Sequence, residues 1–185
     1  MFTKKGILAL LFVMALGVFG VMELRADWGD SFTLTFTPTG TRGVIIATTT
    51  VALTPTLGGS SMTGAIPVLS TGSIGNIEYT IGGGLAGGAA FSADATPTED
   101  ELLLQALFNS TDATGLFGAE DIVTAAAVDA GDAGTDTGSY EGDVNVDAMN
   151  LLTSRDLYCQ VTLPSAVNYA GQQTITVTVT AEVTD

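Results

Sequence analysis

Gln172–Val183 reads QQTITVTVTAEV. Ile175, Val177, Val179, Ala181 and Val183 share one face, and Thr174, Thr176, Thr178, Thr180 and Glu182 the other. A period of two is the mark of a strand with one dry and one wet face. The β-branched side chains suit a pleated backbone. Such a strand needs a sheet to pair with and a second layer to bury its valines. It carries no lysine or proline, the residues that usually guard an exposed edge. It is therefore either a central strand or an edge awaiting a partner.

Similar patterns recur upstream. In Ser31–Thr37, Phe32, Leu34 and Phe36 alternate with threonines before Pro38-Thr39-Gly40. Val44–Leu53 is a β-branched run, read as one or two strands with a bend. Thr54–Ser61 reads as a turn region. Ala65–Leu69 is a short strand, with Pro67 suggesting an edge. Gly75–Ile81 places Ile77, Tyr79 and Ile81 on one face. Gly82–Gly88 reads as a loop or bulge with a closely approached backbone, because no phosphate-loop lysine follows it. Thr98–Phe108 combines a capping pattern, Thr98 with Glu101, and the run LLLQALF. It is read as a buried strand after a helical turn at Thr98–Glu101. A helical turn is expected within Ala119–Ala127, and a long acidic loop over Asp129–Asp147. Arg155–Leu163 supplies the penultimate strand. The expectation is a single all-β domain: an antiparallel β-sandwich, Ig-like or jelly-roll-like, of about seven to nine strands.

The chain has 185 residues, 20 acids, 5 bases and no histidine. Lys4, Lys5 and Arg25 lie near the start, so residues 27–185 carry Arg42 and Arg155 against 19 acids (20 less Glu23), a net charge of −17. Such a surface repels nucleic acid and anionic lipid. The 46% hydrophobic content favours a folded domain over disorder.

Lys4 and Lys5 precede an apolar run from Ile7 to Met22, followed by Glu23-Leu24-Arg25-Ala26. The run is shorter than the ~20 residues of a spanning helix. It reads as an apolar leader helix, a secretory signal over residues 1–26 cut after Ala26, which leaves a domain over 27–185 without a membrane anchor. Lys4-Lys5-Gly6 ahead of ILALLFVMALGVFGVM also resembles the leader of type IV pilins, cut after Gly6. Most bacterial pilins have glutamate where Leu11 stands, whereas archaeal pilins lack it. The mature N-terminus separates these readings: Asp27 for secretion, Ile7 for the pilin cut, Met1 for neither.

Without histidine, Ser-His-Asp, Cys-His and His-metal sites are excluded, and the chain reads as a non-enzyme. Cys159 alternates with Leu157, Val161 and Leu163, which makes it a buried core residue rather than a disulfide partner. Asn109-Ser110-Thr111 forms a glycosylation sequon. Asp129, Asp132, Asp136, Glu141, Asp143, Asn145 and Asp147 crowd one segment. Asp143, Asn145 and Asp147 match the first three ligand positions of an EF-hand loop, but Ala148 and Ser154 stand where its glycine and glutamate belong. The three could hold calcium weakly, against the plainer reading of a solvated acidic loop. A glycan- or protein-binding role would need an exposed aromatic platform, drawn from Trp28, Tyr79, Tyr140, Tyr158 and Tyr169. Of these, Tyr158 faces opposite Cys159 and hence outward.

Two stretches carry a resemblance. Thr71–Ile81, TGSIGNIEYTI, looks like the strand of secreted β-sandwich surface proteins in which a Gly/Asn turn precedes an aromatic. RDLYCQVTLPSAV followed by GQQTITVTVTAEV resembles the closing strands of TasA/camelysin-type and WxL-type bacterial surface proteins, and of fimbrial and spore-coat subunits. The paired Trp-x-Leu motifs of the WxL group are absent, since Trp28 is the only tryptophan. The resemblance implies an exported structural or adhesive role, often polymeric, and transfers no functional residue. The expected function is a subunit of an extracellular filament, sheath or surface layer, with copies of itself as partners joined by strand pairing.

Overall fold

The computed structural model describes residues 32–39, 43–47, 50–71, 77–132, 135–144, 146, 149–150, 152–168 and 172–183. The leader, the Ala26 and Gly6 cut sites, Trp28 and Tyr169 lie outside them. The strands are β1 (Phe32–Thr39), β2 (Gly43–Ile46), β3 (Thr50–Leu53), β4 (Ser60–Met62), β5 (Ile66–Thr71), β6 (Ile77–Ala86), β7 (Ala90–Phe91), β8 (Glu101–Phe108), β9 (Val128–Asp129), β10 (Gly131–Asp132), β11 (Thr135–Ser139), β12 (Ser154–Thr162) and β13 (Thr174–Val183). One 3-10 turn, Ala119–Asp121, precedes β9. The count exceeds the expected seven to nine because β4, β7, β9 and β10 have three residues or fewer. Strands that short carry no periodic signal of their own.

The fold is all-β. One sheet runs β3-β1-β13-β6-β9, and the other β2-β5-β12-β8-β7 with β4 also on β12. β10 and β11 form a separate two-stranded ladder inside the stretch expected to be loop. The closing strand is central, with β1 on one side and β6 on the other. Leu34, Phe36, Tyr79, Ile81, Val177 and Val179 from the first sheet meet Val68, Leu104, Phe108, Leu157, Cys159 and Val161 from the second in one core. Each such side chain contributes about 1.5–3 kcal/mol by leaving water.

The sheets are not purely antiparallel. β1 runs parallel to β13, with Leu34 beside Ile175 and Phe36 beside Val177. That register puts both dry alternations on the same face. A parallel pair requires a long connection, and residues 40–173 lie between these two strands. β7 and β8 are also parallel.

Pro67 does not mark an edge, since β5 lies between β2 and β12. The β2 ladder begins one residue later, at Val68, and the Pro67 carbonyl accepts from the Ala47 amide. Proline's missing N–H therefore falls at the ladder's end. Gly82-Gly83-Gly84 is strand rather than loop, paired with Thr178, Val177 and Thr176. A Cβ on Gly82 would stand 3.3 Å from the Ala127 Cα, and one on Gly83 2.9 Å from the Phe91 ring. The glycines admit these neighbours against the sheet.

Thr98–Glu101 forms a turn, closed by the Glu101 amide donating to the Thr98 carbonyl at 3.0 Å, but not the helical turn expected. The Thr98 amide and hydroxyl both donate to Glu101 Oε2, at 2.9 and 2.7 Å. Asp100 takes a left-handed φ of +67°, and the chain leaves the turn as strand β8. Both faces of β8 are covered, which explains its unbroken apolar run. Leu104, Ala106 and Phe108 face the core, while Leu107 packs with Ala113 and Tyr158 beneath the loop that follows.

Candidate functional site

β12 covers one long edge of β8. The other edge is covered piecewise, by β7, then by Ile122 opposite Gln105, then by Glu141 beside Phe108. Backbone bonds fix the last two pieces. The Val123 amide donates to the Leu104 carbonyl (2.8 Å), Phe108 to Tyr140 (2.9 Å) and Gly142 to Phe108 (2.9 Å). Gln105 Nε2 holds the loop down by donating to the Gly118 carbonyl at 2.7 Å.

A pocket of about 360 Å³ opens where the 119–121 turn meets the 141–143 turn. Leu107 and Leu116 form its apolar part, and Glu120, Asp121, Glu141 and Asp143 its acidic part. Asn109 and Thr111 add neutral polar groups to the lining. Gly142 is required here, since a Cβ would lie 2.4 Å from Asn109 Oδ1 and 2.8 Å from the Phe108 carbonyl oxygen. Tyr140 adopts φ +61°, which is uncommon for an aromatic residue, and its hydroxyl donates to the Ile122 carbonyl at 3.2 Å.

Asp121 is 1% exposed and Glu141 7% exposed. Asp121 Oδ2 accepts from the Gly118 amide at 2.7 Å, and Glu141 Oε1 accepts from the Val146 amide at 2.7 Å. Among the described residues, Asp121 Oδ1 and Glu141 Oε2 have no hydrogen-bond partner. Burial pushes the Asp121 carboxyl up to about 6, against the lowering effect of the Gly118 amide and with a further push from Glu120. The Tyr140 backbone also lowers it, while Oδ1 has no hydrogen bond of ordinary geometry. Burial, with the Asp121 charge adding to it, lifts the Tyr140 phenol to about 12.

A carboxyl pushed up in this way stabilises the fold fully below its ordinary 3.8, and that contribution is lost as pH rises through about 6. Glu101, Asp112 and Asp143 are shifted downward and titrate below this window. The expected result, in chelator, is a melting temperature ~2–5 °C lower at pH 7 than at pH 5. Asp121→Asn should flatten that difference. Glu120, Tyr140, Glu141 and Asp143 surround the group, so single-residue variants at the acids serve as controls. A profile unchanged in Asp121→Asn counts against this reading.

The residues singled out from sequence separate here. Asp143 lies on the pocket's rim, exposed, where the Ser110 hydroxyl and amide (the latter at 2.6 Å) both donate to its carboxylate and hold its pKa below the usual range. Asn145 and Asp147, the other two members of the expected calcium triad, lie outside the described residues. Among the described residues no three acidic side chains converge as a metal cage. Asn109 of the sequon is buried, donating to the Thr111 carbonyl (3.2 Å) and accepting from the Asp143 amide (2.8 Å).

Tyr158 does face away from Cys159, but the loop after β8 covers it. Tyr79 and Tyr140 are buried too, so none of the three described tyrosines offers a platform. Cys159 is buried, its thiol pushed up to about 12 by burial alone. Glu141 belongs to the crowded acids of the sequence, whereas Asp121 does not. Its only local signal is its place ahead of Ile122-Val123, which does not separate it from the other acids.

Neither a known family model nor a curated protein matches this chain.

Proposed function

We propose that the chain is an exported structural subunit of an extracellular filament, sheath or surface layer, in which copies associate by strand pairing. The observation that carries this reading is the side of the two sheets on which no further strand pairs among the described residues. β3 ends one sheet and β2 ends the other. Gly43-Val44-Ile45-Ile46 and Thr50-Val51-Ala52-Leu53 contain no charge and no proline. Ile45 points outward and is 54% exposed. Monomeric sheet proteins usually guard such edges with lysine, proline or bulges, whereas an unguarded edge is a template for another chain's strand. The opposite side is capped by short irregular segments and is a poorer template. A body of charge −17 keeps chance aggregation in check while leaving directional backbone pairing available.

Electron microscopy and light scattering of the purified protein test the proposal. Wild type is expected to form polymers. Ile45→Lys, on the outward face of β2, should keep the circular dichroism of the fold and reduce polymer mass by at least about tenfold, the effect of a few kcal/mol at each contact. A wild-type protein that stays monomeric sinks the filament reading. Undiminished polymers in Ile45→Lys place the contact elsewhere.

A further inference from the structure

We propose that Asp121 and Glu141 form a divalent-cation site, with calcium preferred, that ties the Ala119–Asp121 turn to the Tyr140–Gly142 segment. Two carboxylates, each more than nine-tenths buried, line one pocket, and each keeps one oxygen without a hydrogen bond of ordinary geometry among the described residues. Buried charged oxygens in folded proteins are hydrogen-bonded, paired with a cation or bound to metal. Residues 27–185 contain no lysine or histidine, so the positive charge has to come largely from solution.

The donors suit a hard cation. Calcium takes six to eight oxygens in irregular geometry, neutral ones included. Here the two carboxylates share the pocket lining with Asn109 and Thr111, whose side-chain and backbone carbonyl oxygens each accept one hydrogen bond and keep a second lone pair. Magnesium demands near-ideal octahedral geometry and gives up water reluctantly, so it fits this mixed wall less well. The second oxygens of both acids are fixed by the Gly118 and Val146 amides, which orients the carboxylates before any ion arrives. Glu120 at the mouth adds attraction without burial, and Asp143 serves Ser110. The site stands apart from the open sheet edges and does not depend on polymer formation.

The purified protein is treated with EGTA, and its melting temperature is followed with calcium or magnesium chloride to about 10 mM. With a dissociation constant of about 0.5 mM, in the range of extracellular modules, calcium should raise the melting temperature by about 4–7 °C. Magnesium should give less than half of that. Asp121→Asn and Glu141→Gln should each abolish the calcium shift, and Asp143→Asn should retain it. In the wild-type protein, calcium should move the amide NMR signals of Gly118 and Val146, a readout that stands even if a variant fails to fold. The proposal is overturned by no shift at 10 mM, by an equal magnesium effect, which would indicate mere screening of an acidic surface, by a calcium shift that survives in both variants, or by amide changes confined to other residues.

Discussion

Val177→Asp is expected to abolish the folded domain at room temperature. Val177 lies at the middle of β13, the strand with β1 on one side and β6 on the other, and it is fully buried. The substitution removes a valine worth about 1.5–3 kcal/mol of burial. It also places a carboxyl beside Phe36 in the common core. An isolated charge there either stays ionised at a cost of several kcal/mol or takes up a proton and loses its water. The sum approaches the whole stability of a typical domain, about 5–15 kcal/mol. Thr178→Asp, one residue along on the outward face, should cost only about 1 kcal/mol, the usual strand penalty for aspartate. Circular dichroism and urea titration of the pair make the comparison. If Val177→Asp unfolds no earlier than Thr178→Asp, the assigned faces of β13 are wrong.

Phe108→Ala should destabilise by about 3–5 kcal/mol, read as a melting temperature lowered by about 8–16 °C. The Phe108 ring is fully buried and stacks on Tyr79, with centroids 5.4 Å apart and planes 23° from parallel. This contact joins β8 of one sheet to β6 of the other. Its loss leaves a cavity between sheets whose backbones are held by their own ladders, so collapse onto the void is limited. Phe108→Leu retains most of the volume and should cost under about 1.5 kcal/mol. The same residue's amide and carbonyl hold Tyr140 and Gly142, which lets calorimetry separate core loss from loop loosening. A Phe108→Ala variant within about 1 kcal/mol of wild type would mean that the two sheets do not meet at this ring.

The long strands were legible because alternation is a local property. In β1, β6, β12 and β13 the apolar set faces the core as their periods require, and Tyr158 and Cys159 fall on opposite sides of β12 as read. The Gly82–Gly84 run misled because glycine has no side chain to show which way it faces. Its strand character comes from the Phe91 ring and the Thr124 and Ala127 backbone pressed against it. Tyr158 misled for a related reason, since its direction was right but the loop that covers it lies some forty residues upstream in the chain.

The candidate site was harder to read. Nineteen acids in residues 27–185 differ little from one another as letters. What separates Asp121 and Glu141 is burial, and burial follows from two turns laid along the same edge of β8 from different parts of the chain. The EF-hand-like spacing of Asp143, Asn145 and Asp147 is a local pattern. The contact of Asp143 with Ser110, 33 residues away in sequence, has no such local signal.

Period, composition and charge were thus enough to determine an all-β domain, the dry faces of β1, β12, β13 and the first half of β6, the burial of Cys159 and the exclusion of histidine chemistry. These rest on alternation along a strand or on a count. Only the tertiary structure decided that the closing strand is central, that β1 lies parallel beside it and, among the described residues, that β2 and β3 end their sheets and that Asp121 and Glu141 lose their water. Those outcomes depend on which distant segments pair, and backbone hydrogen bonding between strands is blind to the side chains that a sequence records.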